Sequence, residues 1–312
     1  MSAAVRPQDR APGAPAERVS DAPMDLVLQA PDLSPEAIDA FRRRLPAAPL
    51  RRQTASVRLV GVDLAPELAH EVAELAARWR CDATLVSPRM VLSEFRVLAL
   101  DMDSTLIRIE CIDELARLAG LGPEVAAITE AAMRGQIADY SESLRRRVAL
   151  LAGADASLLR AVAQQLPLSP GAERLLGVTR RSGLQTLLVT GGFGFFARTL
   201  QGQLGIDRVC ANEVQVRDER LTGVVHGPVG TAGQLVDAQG KAKALEQACA
   251  DAGCPTEQAI AIGDGANDLP MLALAGVSVA YHAKPRVRQS AKYALDYSGL
   301  DGVLEWFNDI AG

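Results

Sequence analysis

Two aspartates separated by one methionine, Asp101 and Asp103, follow directly on Val97–Leu100, an apolar run that reads as a buried strand. Alternate residues of a strand share a face, so both carboxyls project into one space. In an open parallel sheet that space is the crevice beyond the carboxyl ends of the strands, where ligands bind. A carboxylate there can attack phosphorus and form an acyl phosphate. A second one can protonate the departing oxygen and then activate water. A lone aspartate at a strand end needs no more than an Asx turn to explain it. Two in close succession repel each other, burial raises the cost, and a bound cation is the simplest relief.

Leu187-Leu-Val-Thr190-Gly191-Gly192-Phe193 is another apolar run, closing on a hydroxyl and two glycines, with 193–200 patterned as a helix. Backbone N–H groups at such a turn bind anions and the Thr190 hydroxyl adds a donor, although a tight turn alone accounts for the same letters. Ala259-Ile-Ala-Ile-Gly263-Asp264-Gly265-Ala266-Asn267-Asp268 again ends a buried strand in a carboxylate, here flanked by glycines. Asp264 suits a hard cation with oxygen ligands, which Mg²⁺ prefers. Asn267 can donate to a phosphate, and Asp268 can support the ligand shell. Lys241 opens a helical segment over 241–252, where the helix dipole disfavours a cation by about 0.3–1 kcal/mol. A solvated basic pair with Lys243 explains it equally well until its surroundings are considered. A pocket built from Asp101, Asp103, Asp264 and Asp268 repels a phosphate dianion unless a divalent metal and at least one ammonium are present, and Lys241 supplies that ammonium.

The elements that must position these residues alternate from Phe95 onward. Strands are expected at 97–100, 185–190, 209–210, 259–262, 277–280 and 293–295, with helices between several of them. That is the pattern of an α/β fold with a doubly wound parallel sheet. From 110 to about 167 no strand is plausible; helices are expected at 112–119, 123–133, 141–151 and 156–165, an inserted helical cap over the crevice. Before this phosphatase-like part, residues 23–92 read as a small α+β domain, either regulatory or dimerising. It has strands at 25–29, 57–62 and 83–86 and helices at 35–44, capped by Asp32 or Ser34, and 66–80. Its spacing resembles ligand-sensing domains of the ferredoxin-like type. Residues 1–22, rich in Ala, Pro, Arg and Asp without periodicity, read as a disordered tail.

Composition narrows the classes. The 312 residues carry 33 Lys+Arg against 38 Asp+Glu, a net charge of -5, and show no basic arm or aromatic-spaced basic stripe, so nucleic acid is not an expected partner. No stretch approaches the roughly 20 apolar residues of a membrane span, nor does the start resemble a leader, and a cytoplasmic enzyme is expected. The cysteines, at 81, 111, 210, 249 and 254, form no C-x-x-C pair, and the histidines, at 70, 226 and 282, have no metal-ligand spacing. Catalysis is left mainly to carboxylates.

The three strand ends and the lysine, in this order, resemble the haloacid dehalogenase-like superfamily of phosphotransferases. The likeness extends to the phosphoserine phosphatase family within it through 101–116, Ala132-Met-Arg-Gly135, Ser143-Leu-Arg-Arg-Arg147-Val, Val236-Asp-Ala-Gln239 and Ala280-Tyr-His-Ala-Lys-Pro285, and covers roughly residues 95–305. The resemblance implies hydrolysis of O-phospho-L-serine to L-serine and phosphate, the last step of serine biosynthesis. It implies Asp101 as nucleophile, Asp103 as general acid and base, and Mg²⁺ held by the Asp101 carboxylate, the Asp103 backbone carbonyl and Asp264. Thr190, Gly191, Lys241 and Asn267 would hold the phosphate, Glu110 the substrate ammonium and Arg147 its carboxylate. Taken as residues alone, Glu110 is also a favourable acid at a helix start, and Arg147 one of three basic residues on a solvated face. Thr190 stands where the family typically has Ser, the cap segment 135–140 is one residue longer than usual with Tyr140 where Phe is common, and 225–234 is expanded. Another small phosphate ester as substrate, transfer to an acceptor alcohol, amino-acid sensing by the first 90 residues, and a homodimer all remain open here.

Overall fold

The computed structural model describes residues 23–310 apart from 54, 138 and 229–232. The expected tail 1–22 and part of the expanded 225–234 segment lie outside the described residues. The chain first forms β1 (Met24–Gln29), α1 (Pro35–Arg44), β2 (Leu50–Arg52), β3 (Ser56–Val62), α2 (Pro66–Trp79) and β4 (Asp82–Val86). The sheet is antiparallel in the order β2-β3-β1-β4, the ferredoxin-like arrangement. Ser34 caps α1, its hydroxyl accepting the Ala37 N–H at 3.2 Å. The alternation of β1 explains its two-sided burial: Leu26 and Leu28 pack with Phe41, Leu59 and Val72, while Val27 joins the larger core of the molecule.

That larger part begins with β5 (Val97–Leu100) and five helices, α3 (Cys111–Leu118), α4 (Gly122–Met133), α5 (Tyr140–Leu150), α6 (Ser157–Ala163) and α7 (Ala172–Arg181). It continues with β6 (Gln185–Phe193), α8 (Gly194–Leu204), β7 (Arg208–Arg217), β8 (Arg220–His226), α9 (Ala238–Asp251) and β9 (Ala259–Gly263). The last elements are α10 (Leu269–Leu274), β10 (Val277–Tyr281), α11 (Pro285–Ser290) and β11 (Tyr293–Leu295). The strand order is β11-β10-β9-β5-β6-β7-β8, parallel except for the β7–β8 hairpin. From β5 the chain builds outward to β6 and β7 on one side, then crosses to β9, β10 and β11 on the other. The carboxyl end of β5 is therefore the topological switch point, where an open sheet leaves a crevice.

Both faces of the sheet are covered, which is why its central strands read as unbroken apolar runs. Leu98, Leu100, Leu188, Ile260 and Ile262 face one core with residues of α3, α5, α6, α7 and α8, and Val97, Ala99, Leu187, Val189 and Ala261 face a second with α9 and α10. The α3–α6 cap leaves and rejoins the sheet through paired linkers: Ile107 bridges Leu168, and the Ser169 hydroxyl donates to the Thr105 carbonyl at 2.6 Å.

Two features differ from expectation. The strand expected at 209–210 is the start of a long hairpin, turning at Asp218 and Glu219 with φ of 50° and 57°. Its tip grips the cap, with Gly153 N–H donating to the Leu221 carbonyl and Ala156 N–H to the Glu219 carbonyl, both at 2.8 Å. The helix expected from 241 begins instead at Ala238, because Asp237 caps it and accepts the Gly240 N–H at 2.8 Å.

The two sheets are joined through buried polar contacts. Arg58 of β3, 0% exposed, pairs with Asp25 at 3.1 Å and donates to the Glu305 and Trp306 carbonyls at 2.9 and 3.0 Å. Asp82, at the start of β4, accepts the N–H groups of Asp296, Tyr297 and Ser298 just after β11. Among the described residues no helix is long and apolar enough to cross a membrane.

Candidate active site

The ends of β5 and β9 and the first turns of α9 place four charged groups together. The Lys241 ammonium, 0% exposed, lies 2.6 Å from Asp101 Oδ1 and 2.7 Å from Asp268 Oδ1. The Asp268 Oδ2 atom accepts the N–H groups of Asp264 and Gly265 at 3.1 and 2.9 Å, so both its oxygens are engaged. Asp101 Oδ1 also accepts the Met102 N–H at 2.7 Å, which leaves its second oxygen open. Asp264 receives a bond from the Thr105 hydroxyl at 3.2 Å and no cation within ion-pair distance among the described residues.

After β5 the backbone makes one wide turn over Met102–Leu106, with Asp103 extended and Ser104 in the left-handed region at φ 57°. This conformation is costly outside glycine and clusters at working sites. It carries Ser104 to Glu110, whose carboxylate accepts the Ser104 hydroxyl at 2.7 Å, and Asp103 to the start of α3, where it accepts the Cys111 N–H at 2.9 Å. Asp103 also approaches the turn that closes β6: a Cβ on Gly192 would fall 2.6 Å from its Oδ2. In that turn Thr190 is buried and its hydroxyl accepts the Gly192 N–H at 2.8 Å, leaving its own proton to donate.

Burial and crowding of like charge act on all three acids. Burial first, then the Glu110 carboxylate, push Asp103 up to about 7. That is where a group passing a proton back and forth at neutral pH works best. Burial and Asp268 push Asp264 up to about 6, and burial and Asp268 raise Asp101 well above the ordinary range although Lys241 pulls the other way. Carboxylate oxygens of Asp101, Asp264 and Asp268 lie within 4.8 Å of one another, so the cluster holds more negative charge than Lys241 offsets. An all-oxygen donor set with this surplus fits a hard divalent cation such as Mg²⁺. With Asp268 committed to Lys241 and two amides, the donors left for an ion are Asp101 and Asp264. No amide outside its own turn donates to the Asp103 carbonyl, which leaves that oxygen available too.

The cap contributes Glu110 and Arg147. Along α5, Arg145 and Arg146 are exposed and Arg146 pairs with Glu142 at 2.7 Å, whereas Arg147 is buried. Its Nε reaches only its own helix, the Ser143 carbonyl at 3.4 Å, and no carboxylate lies within ion-pair distance among the described residues. Burial raises the Glu110 carboxyl, and Arg147 is near enough to draw it back down. Asn267 sits half-buried on the turn after β9 beside Gly265, and no hydrogen bond ties it to the aspartates. Asn212, not anticipated from the sequence, is fully buried. Its amide donates to the Gly191 carbonyl at 2.9 Å and its carbonyl accepts the Val236 N–H at 2.7 Å, which fixes the Thr190–Gly191 turn against the segment leading to Lys241. An asparagine inside a strand carries no pattern that marks such a role.

A profile of the haloacid dehalogenase-like hydrolases matches residues 98–273, the span that holds every acid of this cluster. The chain belongs to that family. Among its hydrolase relatives, a phosphoserine phosphatase of Polaromonas is 52% identical over 223 residues, 71% of this chain and 93% of the relative. One from Haemophilus influenzae is 45% identical over 68% of this chain and 66% of its own length. Of solved structures, a HAD family hydrolase of Salmonella enterica matches 92% of this chain and 99% of its own at a TM-score of 0.80 and 30% identity. A probable phosphoserine phosphatase of Vibrio cholerae matches 91% of this chain and 85% of its own at 0.77 and 34% identity. These two matches extend the haloacid dehalogenase-like likeness beyond the hydrolase core, whereas the Polaromonas alignment leaves more than a quarter of the chain unmatched.

Proposed function

We propose that this chain hydrolyses O-phospho-L-serine to L-serine and phosphate, in the cytoplasm and with Mg²⁺ as cofactor, and so completes serine biosynthesis. The names of its relatives support that reading, and one observation carries the substrate class. Arg147 alone of three consecutive arginines is buried, and it has no carboxylate partner among the described residues. A buried guanidinium without an acid is expensive, and a substrate carboxylate gripped by two hydrogen bonds relieves the cost. Glu110, close by at the cap mouth, gives the ammonium of the same zwitterion its anion.

In this scheme Asp101, held by Lys241, attacks phosphorus in line with the serine oxygen, and the P–O bond to serine breaks. Asp103 gives its proton to that oxygen. Water deprotonated by Asp103 then attacks the phosphorus of the aspartyl phosphate, releasing phosphate and restoring the Asp101 carboxylate. Thr190, Gly191, Lys241 and Asn267 hold the phosphoryl oxygens, and their fixed positions supply most of the catalysis. Mg²⁺, held by Asp101, Asp264 and the Asp103 carbonyl, adds positive charge beside those oxygens.

Phosphate release from O-phosphoserine, O-phosphothreonine, phosphoethanolamine and a sugar phosphate, with Mg²⁺ and with a chelator, tests the reading. Release that depends on Mg²⁺ and favours O-phosphoserine is expected. Phosphoethanolamine, which lacks the carboxylate, should be poor. Equal rates on both esters would refute the substrate assignment. Arg147→Ala should lower kcat/KM for O-phosphoserine by roughly ten- to a hundredfold, mainly through KM, and leave phosphoethanolamine almost unchanged.

A further inference from the structure

Tyr140 is the first residue of α5, and Asp139 fixes it there by accepting the Ser141 N–H at 3.0 Å. Its ring packs against the main core, and its hydroxyl reaches down from the cap onto the turn after β6. A Cβ on Gly191 would fall 2.1 Å from the phenol oxygen and 2.7 Å from the ring carbon that bears it, so only glycine admits this approach. The hydroxyl has no hydrogen-bond partner among the described residues. Burial, the largest influence, together with Asp101 and Asp103, outweighs the nearby Lys241 and Arg147 and pushes the phenol up to about 12. At neutral pH it is therefore a neutral group with a proton to donate.

An unsatisfied donor in such a place has an energetic reason only if an acceptor arrives there. The neighbouring Thr190 hydroxyl and the backbone of the Gly191 turn are donors of the kind that receive anions. The acceptor that reaches all of them at once is a tetrahedral oxyanion. We propose that the Tyr140 hydroxyl donates a hydrogen bond to the phosphoryl group, so that the cap grips the phosphate itself as well as the organic part of the substrate. The proposal rests on the reading of the Thr190–Gly191 turn as the phosphate seat. It assigns the cap two separable tasks. Arg147 and Glu110 select the amino acid, whereas Tyr140 acts alike on every phosphomonoester and on the inorganic phosphate product.

Tyr140→Phe removes the hydroxyl and keeps the ring in its packing. The affinity of the full chain for inorganic phosphate, measured by calorimetry in the presence of Mg²⁺, should weaken roughly tenfold or more in this variant. The kcat/KM for O-phosphoserine and for phosphoethanolamine should fall by a common factor. Unchanged phosphate affinity, or a loss confined to O-phosphoserine, overturns the assignment of Tyr140 and leaves the phosphatase reading standing. Failure of the unsubstituted chain to bind phosphate overturns both.

Discussion

Asp101→Asn is expected to cut phosphate release on the order of 10⁴-fold or more while leaving the metal-free protein no less stable than before. The first half follows from the role proposed for the carboxylate: an amide cannot form the acyl phosphate, and the fixed donors around it cannot act on an intermediate that never forms. The second half follows from electrostatics. Burial and Asp268 hold the Asp101 carboxyl well above its ordinary range despite Lys241. A carboxyl raised on folding binds its proton more tightly in the native state, so ionising it weakens the fold as pH rises above the unfolded carboxylate range. An amide of the same shape removes that penalty, and Lys241 keeps Asp268 as a partner. Thermal melts at neutral pH in a chelator should give a Tm equal to or above that of the unsubstituted chain. The rise in Tm produced by Mg²⁺ should shrink, because one charged donor is gone. Sustained turnover by this variant would remove Asp101 as the nucleophile.

What was legible in the sequence depended on how directly a local pattern answers to a physical demand. β5 and β9 are short and covered on both faces, so each is a continuous apolar run, and the acids that end them stand out against it. The hairpin of β7 and β8 was largely missed because its turn residues, Asp218 and Glu219, take positive φ without the glycine or asparagine that usually announces such a turn. The three residues of β2 are too few to show a period. The separation of Arg147 from its two neighbours was present in the spacing: Leu144, Arg147 and Val148 are buried at helical intervals, while Arg145 and Arg146 fall on the outer face. Asn212 and the hydroxyl of Tyr140 act through contacts with segments distant in sequence. Composition and periodicity do not encode such contacts, so only the assembled fold brings them out.

Lys241→Met is expected to be the most damaging single change in the site, lowering stability by roughly 3–5 kcal/mol at neutral pH. The side chain is 0% exposed, so a methionine of similar length keeps the apolar stem packed and removes only the charge. Burial alone disfavours the ammonium, yet Asp101 and Asp268 outweigh it and the lysine is held above its ordinary range. Without it two carboxylates share a dry space with Asp264 close by and no cation among them. Their affinity for protons in the native state must rise, because a bound proton is the remaining way to reduce the repulsion. The sign then fixes the pH dependence. Carboxyls raised on folding destabilise the native state once pH exceeds their unfolded range, so the deficit should be largest at neutral and alkaline pH and should diminish as pH falls toward that range. Urea unfolding at pH 5 and pH 8 in a chelator measures both values. Activity should fall roughly 10²–10³-fold even where the fold survives, since a preorganised charge beside the phosphoryl oxygens is lost. A variant as stable as the unsubstituted chain at pH 8 would mean that the acids are already relieved by another group. Lys241 would then have no claim to be the charge around which Asp101 and Asp268 are assembled.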